Sequence, residues 1–78
     1  MNKVNQNVLD TMKLYTEVGM FTDLKHIGTI FNRDKGFWES NGAFQNSNGR
    51  RNGRIATWDT TADAVDFERM VKMLIGQN

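Results

Sequence analysis

The sequence predicts an α+β fold: a small antiparallel β-sheet of three or so strands, flanked by an N-terminal and a C-terminal helix, in the order α-(α)-β-β-β-α. Three observations predict it. Apolar residues recur at helical spacing near both ends of the chain. Residues 28–58 instead alternate short aromatic and β-branched runs with Gly/Asn-rich stretches. The chain has 78 residues with no proline, repeat or linker, which makes one domain, 1–78. A twisted antiparallel sheet with helices over one face buries both apolar stripes.

Val4, Val8, Met12, Tyr15 and Val18, with Thr11 and Leu14 alongside, share one face and predict a helix over residues 4–18. Asn2 or Asn5 can cap its start and Gly19 can stop it. Thr22 then caps a brief second helix over residues 23–27, ended by Gly28. A strand over residues 24–31 competes with that reading. The helix is preferred because Asp23 and Lys25 are poor strand residues. Residues 29–31 read as a strand and residues 32–36 as a turn, with Gly36 free to take positive φ. Residues 37–39 pair back. Ser40, Asn41 and Gly42 form a second turn signal, since Asn-Gly is a strong hairpin cue. Residues 43–45 continue as a short strand. Residues 46–53 read as a loop, and residues 54–58 as the last strand, with Ile55 and Thr57 on one face and Ala56 and Trp58 on the other. A helix over residues 61–75 follows. Thr60 with Asp63 resembles a capping box, and Lys72 suits the last turn. Ala64, Phe67, Met70, Val71, Leu74 and Ile75 form its apolar face, and Gly76 stops it.

A domain this short buries only roughly 60–65% of its unfolded surface, so its stability is marginal. There is no cysteine, which removes disulfides and thiolate metal sites and suits a reducing cytoplasm. No stretch is long and apolar enough to span a membrane. The segment MNKVNQNVLD lacks the apolar core of a signal peptide. The expected location is therefore cytoplasmic, with no membrane partner. Net charge is only +1, but residues 25–54 carry +4 between flanks of −1 and −2. The local asymmetry says more than the total.

No catalytic residue, metal site or cofactor is expected. His26 is the only histidine, and a lone His is most often structural. Ser40 and Ser47 lie in Asn/Gly-rich surroundings without a nucleophile elbow. Asp59, Asp63 and Asp66 suit an acidic first helical turn better than a cation site. Glu39 has no partner that sequence alone places beside it. No Walker A, dinucleotide fingerprint or EF-hand loop is present.

The basic stretch Gly49-Arg50-Arg51-Asn52-Gly53-Arg54 is the most unusual feature. Glycine and asparagine let backbone approach a ligand, and guanidinium groups match phosphate oxygens in pairs. Arg33 and Lys35 sit in another turn of the same region. Phe37, Trp38, Phe44 and Trp58 are interleaved aromatics, of which Trp38 or Phe44 can stack on a base if it faces out.

Gly28-Thr29-Ile30-Phe31-Asn32-Arg33-Asp34-Lys35-Gly36-Phe37 resembles the first strand pair of cold-shock domains, where F-N-x-D/E-K-G-F precedes G-F-I. The likeness covers ten residues of 78. It would imply Lys35, Phe37 and Trp38 at a single-strand surface. Trp38-Glu39-Ser40 stands where that family has G-F-I, and the flanking helices do not belong to its small barrel, so membership is not assigned. A helix-turn-helix ranks lower. Its recognition-helix window, residues 34–42, contains Gly36 and Gly42, each costing roughly 1 kcal/mol relative to alanine.

Two functions follow as expectations. The first is a non-enzymatic module that contacts DNA or RNA phosphates through Arg50, Arg51 and Arg54, helped by Arg33 and Lys35, with Trp38 stacking. The second is a protein-binding inhibitor or adaptor of the kind found among small phage and plasmid accessory proteins. In it the arginine stretch, or the acidic final helix, docks a partner of opposite charge. The wide apolar helix faces, with Met70 and Met73, also point to a homodimer.

Overall fold

The computed structural model describes residues 3–76. The chain runs through α1 (Gln6–Glu17), β1 (Leu24–Asn32), β2 (Phe37–Asn46), β3 (Gly49–Trp58) and α2 (Thr61–Ile75). The three strands form one antiparallel meander, with β2 in the centre and β1 and β3 at the edges. This is the expected α+β fold, with one helix fewer than the sequence suggested. No helix among the described residues is long and apolar enough to cross a membrane.

The N-terminal and C-terminal helices form with predicted caps. Asn5 Oδ1 accepts from Asn7 N–H, and Thr60 Oγ1 accepts from Asp63 N–H. Asn2, the other candidate cap, lies outside the described residues. Gly19 and Gly76 take positive φ just past the two helix ends. Helix α2 crosses all three strands, and α1 packs on α2. Tyr15 ties α1 to the edge of the sheet by donating its hydroxyl to the Ile55 carbonyl. The core gathers Val8, Phe21, Leu24, Ile27, Phe44, Trp58, Ala64, Phe67 and Val71. Phe67 is its hub, in contact with the rings of Tyr15, Phe21 and Trp58. Leu14, Val18 and Leu74, expected on the core faces, are exposed instead. Val18 lies just past the end of α1 as its C-cap.

Three local readings are corrected. Residues 23–27 are not helical: β1 starts at Leu24. A β-bulge between Leu24 and His26 sets Lys25 and His26 both outward, so Leu24 and Ile27 point to the core three residues apart. That spacing mimics a helix turn. Asn41 and Gly42 do not turn. Neither has positive φ, and β2 passes straight through them. Residue 42 is glycine for another reason: a Cβ there would lie 2.6 Å from Leu24 Cδ1.

The third correction concerns residues 46–53. The hairpin tip is only Ser47 and Asn48, with Asn46 Oδ1 accepting from Asn48 N–H and Gly49 at φ 112°. The arginine stretch is therefore strand, not loop. Arg50 pairs with Gln45, Arg51 with Phe44 and Arg54 with Asn41. The turn over residues 32–36 forms as expected, with Gly36 at φ 75° donating to the Asn32 carbonyl.

A candidate anion-binding face

Strand alternation sorts the candidate residues onto two faces. The helix side carries Leu24, Ile27, Thr29 and Phe31 of β1, Trp38, Ser40, Gly42 and Phe44 of β2, and Arg51, Ala56 and Trp58 of β3. The helix-free side carries His26, Ile30 and Asn32, then Phe37, Glu39, Asn41, Ala43 and Gln45, then Arg50, Asn52 and Arg54. The three arginines of β3 thus split, Arg50 and Arg54 to the open face and Arg51 to the helix side.

Arg54 is engaged. Its Nη1 donates to Glu39 Oε2 at 3.4 Å, and its guanidinium lies 5.9 Å from the Phe37 ring centroid. Asn32 donates to the same Glu39 oxygen at 2.9 Å. The Asn32 hydrogen bond is the largest influence holding the Glu39 carboxyl below its ordinary 4.5. Partial burial opposes it. The Asn41 amide, oriented toward this carboxylate without closing a full hydrogen bond, and Arg54 add to the lowering. Arg54 is therefore part of a structural polar cluster in the middle of the open face.

Arg50 and Arg51 are different. Neither forms an ion pair among the described residues. Arg51 lies 5.0 Å over the Phe44 ring, a cation–π contact that steadies its guanidinium. On the other side of β2, the bulge in β1 turns Lys25 and His26 to the surface. Lys25, His26, Arg50, Arg51 and Asn52 surround a depression of about 390 Å³ over Ala43, Phe44 and Gln45. No acidic residue lines it. Asp23, just outside, hydrogen-bonds Asn46, while its carbonyl accepts from Gln45 N–H. Cations on two strands around an uncharged floor are the arrangement that binding of an anion requires.

The remaining candidates sit elsewhere. Arg33 and Lys35 lie in the β1–β2 turn. The first six residues of β2, 37–42, separate them from the depression, roughly 20 Å at 3.3 Å per residue. They cannot hold the same phosphate as Arg50. Trp38 faces the helices, half-buried against the core, with its ring 4.8 Å from Phe31. Adjacent in β2, Phe37 and Trp38 point to opposite faces, so they do not share the surface that the cold-shock likeness implied. Lys25 and His26 are the residues that sequence reasoning missed. Reading residues 24–31 as a strand would have brought them into view.

No family model matches the chain, and comparison with curated proteins and with solved structures gives no match either.

Proposed function

We propose that this is a non-enzymatic binding protein that contacts the phosphate backbone of a nucleic acid. Arg50 and Arg51 are the principal contacts, with Lys25 and His26 across the depression. One observation carries the reading: four basic residues of two strands, Lys25, His26, Arg50 and Arg51, line one depression at this end of the sheet, and no carboxylate lines it with them. Guanidinium groups pair well with phosphate oxygens, and Asn52 and Gln45 add neutral hydrogen-bonding groups beside them. Arg54 acts through Glu39, fixing the open face rather than holding phosphate. Arg33 and Lys35 would touch only a nucleic acid long enough to reach the other end of the sheet.

The test is a titration of labelled single-stranded DNA, duplex DNA and RNA at several salt concentrations. If Arg50, Arg51 and Lys25 neutralise about three phosphates, log K falls with log salt at a slope of roughly −2 to −3. Replacing Arg50 and Arg51 by alanine should abolish binding without changing the circular dichroism. A slope near zero, or no binding at low salt, overturns the proposal.

A protein-binding role is the second reading. Leu14, Val18, Met73 and Leu74 on the helices are each more than half exposed, a larger apolar display than phosphate binding requires. A stoichiometric protein recovered after nuclease treatment would support it. Loss of the partner on nuclease treatment would count against it.

A further inference from the structure

The two edges of the sheet differ in charge. The β3 edge carries Arg50, Arg51 and Arg54. A second copy pairing there would bring guanidinium groups together across strands, which is destabilising, and charge is a common guard of a free edge. The β1 edge has no charge from Gly28 to Asn32. It shows a large apolar side chain on each face instead: Ile30, 56% exposed, on the helix-free side and Phe31, 43% exposed, on the helix side. Among the described residues, β1 pairs only with β2.

We propose that residues 28–32 of β1 form a self-association edge, at which a second copy of the chain pairs antiparallel about a twofold axis through Ile30. Two three-stranded sheets then join into one of six strands. In this register Ile30 meets its twin, Thr29 meets Phe31, and Gly28 meets Asn32. No charged pair is opposed within the five residues. The Ile30 pair covers the most exposed apolar side chain of the sheet, and such cross-strand apolar pairs are the stabilising unit of a sheet. Open space surrounds Gly28 on its own chain, which leaves room for the Asn32 amide of the second copy. Both helix layers lie on the same face of the joined sheet, and the two basic depressions lie at its opposite ends. The edge uses none of the arginines, so this self-association stands apart from nucleic-acid binding.

Sedimentation of the nucleic-acid-free protein across micromolar concentrations tests it. The expected mass at the upper end is twice the 9.0 kDa of the chain. Ile30→Lys, at an exposed position, should return the mass to one chain with unchanged circular dichroism. Met73→Lys, on the exposed surface of α2, should leave the dimer intact. A wild-type protein that stays monomeric overturns the proposal. So does a dimer that survives Ile30→Lys, or one that Met73→Lys dissolves. If Ile30→Lys fails to fold, amide exchange on the wild type decides. Protection of residues 28–32 must rise with protein concentration, and constant protection refutes the paired edge.

Discussion

Gly42 lies mid-strand in β2 on the helix side, opposite Ile27 and Gly53. Replacing it by alanine tests how tightly the sheet closes on its core. The added Cβ would lie 2.6 Å from Leu24 Cδ1 and 3.2 Å from Phe44 Cε1. Those side chains are only 3% and 7% exposed, so neither has free space to swing into. Backbone strain is not the objection, because φ at residue 42 is not positive. Overpacking of this kind costs about 1–3 kcal/mol. The reduced freedom of the unfolded chain offsets about 0.4–1 kcal/mol of that. A net loss of about 1–2 kcal/mol remains, and each kcal/mol lowers Tm by roughly 4–8 °C in a domain of this size. Gly53→Ala is the control. Its Cβ would meet nothing within 4 Å, so stability there should hold or rise by up to about 1 kcal/mol. Thermal and urea denaturation followed by circular dichroism read both variants. Equal stability of Gly42→Ala and Gly53→Ala would refute the packing argument.

Three further outcomes are expected. Ser40 is fully buried and its hydroxyl accepts from Trp58 Nε1–H at 2.8 Å. Ser40→Ala strands that donor and should lower unfolding free energy by about 1–3 kcal/mol in urea titration. Glu39 has a lowered pKa, so its contribution to stability is present above its ordinary 4.5 and is lost as pH falls through the folded value. Acid-unfolding curves of Glu39→Gln should therefore fall less steeply below pH 4.5 than those of the wild type. Arg54→Ala should leave the salt slope of nucleic-acid binding nearly unchanged. Arg50→Ala and Arg51→Ala should each flatten it by about 0.7–0.9; an equal effect of all three would show that the Glu39 pair does not hold Arg54 back.

The helices were legible because their signals are local. Asn5, Thr60, Gly19 and Gly76 act within one turn of themselves, and the apolar spacing of Val8 and Tyr15, or of Ala64, Phe67 and Val71, is written along the chain. The strands were legible in kind but not in extent. Gly42 looks like a turn residue and is a strand residue, because the atoms that require a glycine belong to Leu24 and Phe44. Asp23 and Lys25 argue locally against a strand at residues 23–27, whereas the bulge between Leu24 and His26 that admits Lys25 is a property of the strand pair rather than of the strand.

The sequence by itself determined the fold class, the two helices with their caps, the turn at Gly36, and a basic centre between acidic flanks. Only the tertiary structure decided which cations line one depression. Sequence proximity grouped Arg50, Arg51 and Arg54 and added Arg33 and Lys35. Strand alternation puts Arg51 on the helix side and Arg50 and Arg54 on the open face, the Glu39 carboxylate engages Arg54, and the length of β2 carries Arg33 and Lys35 to the far end of the sheet. Pairing across β2 brings in Lys25 and His26, some 25 residues away along the chain from the arginines they join. Charge is encoded residue by residue, whereas a site depends on which residues line one depression, and long-range strand pairing sets that.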